Sequence, residues 1–159
     1  MMKKIYLIIP FMLLFLTGCE TTKPNVNLTP LEIQSIQSRS YDHSKDIVFP
    51  SVMSVFQDLG YSINSADMAT GLITAESAAD SDKVLRFWLG ITKVSQTKAN
   101  AFIEEILGKT KVRINFVSTN KKSFGYGQTD RQDSQILAPQ AYQNAFEKIE
   151  NAIFIRSGS

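Results

Sequence analysis

Apolar positions follow two different periods along this chain after residue 33, and residues 5–16 form one uncharged block interrupted by Pro10. Val48, Val52, Val55, Phe56 and Leu59 recur at three- and four-residue steps, one stripe of a helix over 46–59. Asp46 is placed to cap that helix and Gly60 to stop it. Pro50 fits if it falls within the first turn, where its missing N–H costs nothing. Tyr142, Ala145, Phe146, Ile149, Ala152 and Ile153 repeat the helical pattern in a last helix to about Phe154, opened by Pro139 at its favoured first position. Ala138 stands before Pro139, where an Asp cap is expected.

Other segments alternate with period two. Residues 35–41 are a short first strand. Residues 61–65 and 72–77 flank a turn at 67–71 in which Gly71 suits a positive φ, so they read as a hairpin. Residues 110–118 alternate most clearly: Val112, Ile114 and Phe116 point one way, Lys111, Arg113 and Asn115 the other. Lys121 and Lys122 mark a turn, and 123–129 return with Phe124 and Tyr126 on one face. Residues 78–82 read as a surface loop. Residues 83–92 read as helix or strand about equally, and 99–107 as a short helix ended by Gly108. The order is strand, helix, hairpin, helical middle, hairpin, helix. Hairpins imply an antiparallel sheet, and two helices with one apolar stripe each imply cover for a single face. The expected fold is α+β, an antiparallel sheet of about four to five strands with two main helices on one face, helix-grip-like, plus a short helical middle segment.

The block at residues 5–16 holds 12 uncharged residues behind Lys3 and Lys4. That falls short of the roughly 20 residues a spanning helix needs and matches the apolar core of a secretory signal. It ends in Leu16-Thr17-Gly18-Cys19, which resembles the bacterial lipobox. The Cys19 thiol is then the nucleophile that takes a diacylglyceryl group, and small Thr17 and Gly18 admit the signal peptidase. The resemblance implies removal of residues 1–18, a lipidated and N-acylated Cys19, and a tether over 20–32 that spans up to ~40 Å if extended. A single domain follows over 33–156. Two or three acyl chains hold a protein on a bilayer where one does not. Glu20, rather than the Asp of the inner-membrane sorting rule, points to the outer membrane, with the domain facing the periplasm.

This parsing changes the reading of composition. The 159 residues carry 17 Lys+Arg against 15 Asp+Glu, and Lys3 and Lys4 are the whole surplus. Without residues 1–18 the two signs balance at 15 each, so no electrostatic footprint for nucleic acid remains. With 43% apolar and 20% charged residues, the chain is neither disordered nor a polytopic membrane protein.

The stretches 37–42 (QSRSYD), 56–61 (FQDLGY) and 71–75 (GLITA), with 112–116 and 139–154, are similar to small envelope lipoproteins of Gram-negative bacteria. In layout they also resemble the helix-grip domains of the BamC-type lipoprotein of the outer-membrane β-barrel assembly machine. The resemblance implies a membrane-anchored accessory or scaffold subunit of an envelope assembly or transport complex, with an envelope protein as partner and no catalytic set. A second reading is a binding module that holds an apolar ligand or peptide between sheet and helices.

The remaining candidates for chemistry are sparse. His43 is the one histidine, Cys19 the one cysteine, and no G-x-S-x-G accompanies any serine. No zinc or other metal site, cofactor or catalytic residue is expected beyond the lipid on Cys19. Asp80 and Asp82 lack the Gly and distal Glu of a calcium loop. Adjacent Glu104 and Glu105 splay apart on a helix. Gly125 and Gly127 are turn or bulge glycines. The partner surface is placed at Trp88, which cannot face the core together with adjacent Phe87 in a strand, and at Lys111 and Arg113. With Lys121, Lys122 and Arg131 those cations make a basic stripe on the outer sheet face, suited to an acidic partner or a glycan.

Overall fold

A computed structural model of the protein describes residues 28–81 and 92–158. The expected signal segment, Cys19, Glu20 and Trp88 lie outside the described residues, as does the ambiguous stretch 83–91. The elements run α1 (Pro30–Gln37), β1 (Ser38–Tyr41), α2 (Lys45–Asp58), β2 (Tyr61–Asp67), β3 (Leu72–Ser77), β4 (Asp80–Ser81), β5 (Thr92–Ile106), β6 (Lys109–Ser123), β7 (Thr129–Gln135) and α3 (Pro139–Ser157). The fold is α+β, and every strand pairing is antiparallel. Among the described residues there are seven strands, more than the four to five expected, and three helices.

The spine of the sheet is the β5–β6 hairpin, 15 residues in each strand. Its connection is Leu107-Gly108, both at positive φ (51° and 76°), as a two-residue turn of matching twist requires. β3 and then β4 pair along one side of this hairpin, and β2 closes that edge. Along the other side β6 pairs with β1 at residues 110–113 and with β7 at 117–123.

The expected helix over 99–107 is therefore strand. Ala, Glu and Leu favour a helix locally, but Ala99, Ala101 and Ile103 alternate with Asn100, Phe102 and Glu104, and both flanks of the segment are hydrogen-bonded to β3 and β6. The alanines have a packing role. Ala99 lies opposite Ala75 and Ala101 opposite Ile73, a shallow floor on which α2 sits.

All the fully buried apolar residues of the sheet share one face. Ile73, Ala75, Ala99, Ala101, Ile103, Val112, Ile114 and Phe116 pack there against Val48, Val52, Val55 and Phe56 of α2 and Tyr142, Ala145, Phe146, Ile149 and Ile153 of α3. Phe56, Tyr61, Phe116 and Tyr142 form a chain of rings with centroids 5.2–6.4 Å apart. Both helical stripes and the 61–77 hairpin match the sequence pattern.

Several boundaries differ from expectation. α1 occupies the end of the expected tether and the start of the expected first strand. Thr29 and Glu32 form a reciprocal capping box, with Pro30 in the first turn. α2 starts at Lys45 behind Ser44 rather than behind Asp46, so Pro50 falls in its second turn, and Asp46 lies in the first turn. The expected turn at Lys121-Lys122 is strand. The chain reverses instead at 124–128, where Phe124 N–H donates to Gln128 O, which places Phe124 and Tyr126 in the turn. β7 follows it, and part of the 78–82 loop is the short β4. α3 starts behind Ala138 with no side-chain cap and runs on to Ser157.

Candidate functional site

The face of the sheet away from α2 and α3 carries a depression of about 340 Å³. Strand register builds its lining. In one row Leu72 of β3 faces Phe102 of β5, Phe102 faces Arg113 of β6, and Arg113 faces Ser38 of β1. In the next row Thr74, Asn100 and Asn115 are aligned in the same way. Leu72 and Phe102 are large apolar side chains left 49% and 39% exposed on this face. Gln135, the last residue of β7, donates from Nε2 to Asn115 Oδ1 at 2.9 Å and lines the depression beside it.

One buried polar residue joins this face to the core. Between the end of β1 and the end of β7, the edge of β6 has a gap at residues 114–116. The Tyr142 hydroxyl fills it from α3. It donates to Ile136 O at 2.7 Å and accepts from Phe116 N–H at 3.4 Å and from Gln37 Nε2 at 3.3 Å. Gln37 is only 1% exposed and also lines the depression. Unpaired backbone groups at a sheet gap are costly, so a buried hydroxyl that serves both strands there is a structural requirement. Burial pushes the Tyr61 phenol up from its ordinary value, with Tyr142 adding to the effect.

The charges around the depression are unevenly matched. Glu104 lies directly opposite Lys111. The Arg113 guanidinium has no hydrogen-bond or ion-pair partner among the described residues. The other basic groups of the expected stripe do not converge with it. Arg131 is held by Asp133 at 2.7 Å, in a contact that keeps the Asp133 carboxyl below the usual range, and Lys121 and Lys122 lie on the far arm of β6. Of the sequence candidates the structure thus brings Arg113 to the depression and Lys111 to the same face. Phe102, Leu72, Asn100, Gln135 and Gln37 were not foreseen. The alternation through 99–104 was the available signal for Phe102 and Asn100; for Gln37 none existed.

A second depression of about 190 Å³ opens between the helices and the covered sheet face, lined by Leu59, Tyr61, Phe116, Ile136, Ala141 and Asn144. His43 is half-buried in the bend before α2, where its carbonyl accepts a 2.6 Å hydrogen bond from Thr110. Asp42 beside it pairs with Lys109 at 2.9 Å, and the hydrogen bond from Lys109 holds the Asp42 carboxyl below the usual range. Glu105 Oε2 lies 3.5 Å from the Lys45 N–H at the start of α2, and Glu104 points to the other sheet face. Among the described residues no three His, Cys, Asp or Glu side chains converge on a common point, and no helix is long and apolar enough to cross a membrane. No protein-family model matches this chain, and no curated protein is similar to it.

Proposed function

We propose that this chain is a membrane-anchored, non-catalytic lipoprotein of the bacterial envelope, an accessory or scaffold subunit of an envelope assembly or transport complex. The observation that carries the reading is Leu16-Thr17-Gly18-Cys19 at the end of a 12-residue apolar block behind two lysines. Cys19 takes the diacylglycerol and N-acyl lipid, and Glu20 directs the protein to the outer membrane, domain in the periplasm. The layout supports it as well: a helix-grip-like arrangement covers one sheet face and leaves the other to a partner. The alternative, an apolar ligand between sheet and helices, is disfavoured by size. The depression at that seam, about 190 Å³, is below the roughly 300–1,000 Å³ of small-molecule sites.

Replacement of Cys19 by Ser tests the reading. The wild type should incorporate labelled palmitate and sediment with outer membranes, and Cys19→Ser should lose both properties. A Cys19→Ser protein that still incorporates lipid and sediments overturns the proposal.

A further inference from the structure

We infer that the depression on the uncovered sheet face is a docking site for an extended acidic peptide segment of a partner protein, one that presents a carboxylate and, two residues on, an apolar side chain. This rests on the proposed accessory role and names the chemistry of the partner.

The charge argument comes first. Asp42, Asp133 and Glu150 pair with Lys109, Arg131 and Arg39, so none of these carboxylates is committed to Arg113. Arg113 has none among the described residues, and its row neighbours are Ser38 and Phe102. Arg is the side chain best matched to a carboxylate, through two parallel N–H donors.

Spacing supplies the second argument. Adjacent strands lie about 4.8 Å apart, so the midpoint between Phe102 and Leu72 is roughly 7 Å from Arg113 along the row. Side chains i and i+2 of an extended peptide are separated by about 6.8 Å. A carboxylate over Arg113 therefore sets the next same-side residue on the exposed faces of Phe102 and Leu72. Asn100 and Asn115, one row over, offer donors and acceptors to the peptide backbone, and Gln135 holds the Asn115 amide in place. A neutral saccharide uses the amides and leaves the guanidinium unmatched.

The test uses the lipid-anchored protein in nanodiscs and fluorescence anisotropy of labelled hexapeptides. One peptide carries aspartate and, two residues on, phenylalanine; a second has asparagine in place of the aspartate. The acidic peptide should bind at least ten-fold more tightly than its asparagine counterpart. Arg113→Gln and Phe102→Ala should each weaken it at least five-fold, while Lys148→Gln on the exposed side of α3 leaves it unchanged. Thermal melts of the variants establish that they fold. Equal affinity for the two peptides, indifference to Arg113→Gln, or binding of chitotriose with no binding of peptide up to millimolar concentration each overturns the inference. A protein that stays membrane-anchored and cross-links to its envelope partner from the α3 side keeps the proposed function and refutes this site.

Discussion

The two faces of the sheet are made from the same strands and have opposite chemistry. On β6, Val112, Ile114 and Phe116 are buried under the helices, while Lys111, Arg113 and Asn115 alternate with them toward the other side. On β5 the covered face is nearly flat, Ala99 and Ala101 against Ile103, because α2 lies close above it. The other face carries Phe102 instead, a large ring over which no helix of the described residues lies. The difference separates two demands on one strand: the covered positions are set by packing volume, and the others are free of that constraint.

The comparison is tested most severely by removing a ring from each side. Phe56→Ala, at a fully buried position in the aromatic chain, should cost about 3–5 kcal/mol by chemical denaturation. Phe102→Ala should cost within about 1 kcal/mol, since its ring is already 39% exposed. Equal losses would mean that the uncovered face is structural.

Tyr142→Phe comes next. It keeps the ring and deletes the hydroxyl that serves Gln37, Phe116 and Ile136, leaving buried groups unmatched, and should destabilise by about 1–3 kcal/mol. Amide exchange at Phe116 should accelerate most, because that N–H loses its partner in the gap of the β6 edge.

Leu107→Asn acts at the hairpin tip and should move stability the other way. Leu107 is 99% exposed at φ 51°, a conformation that favours Asn, so the variant should gain about 1 kcal/mol. An unchanged melting temperature would show that the turn adopts another geometry in solution.

Arg113→Gln is expected to have the smallest effect on folding, within about 0.5 kcal/mol, because the guanidinium has no partner among the described residues to lose. A large loss of stability there would remove Arg113 from the recognition surface and assign it to the scaffold.

Reading elements from the chain succeeded where one period dominated a long segment. The stripes of α2 and α3, the β2–β3 hairpin with Gly71 at φ 78°, and the alternation of Val112 to Phe116 were all visible. Gly71 has a reason beyond its turn: a Cβ there would run into the carbonyl oxygen of Ile103. The failures lie where local preference and tertiary pairing disagree. The 99–107 segment has helix-favouring residues but is committed to strand by neighbours on both sides. Most of β7 carries no apolar alternation because its seven residues are all polar, so no element was expected over 130–135, and only its pairing to β6 makes it a strand. Most of the candidate site was equally hidden. Alternation placed Lys111 and Arg113 together, but the row Leu72–Phe102–Arg113 joins three strands by register, which no single segment encodes.

What the amino-acid sequence determined by itself is local and additive: the apolar block ending at Cys19, the charge balance after residue 18, the two helical stripes and the clearest strand. Each follows from side-chain spacing within one segment. The tertiary structure alone decided that 99–106 is strand, that Gln37 reaches Tyr142, and that Arg113 stands beside Phe102 with no counter-charge among the described residues. Those depend on which strands meet and in what register. That choice is made by the burial of one face of the central strands under two helices, a free energy that no segment holds alone.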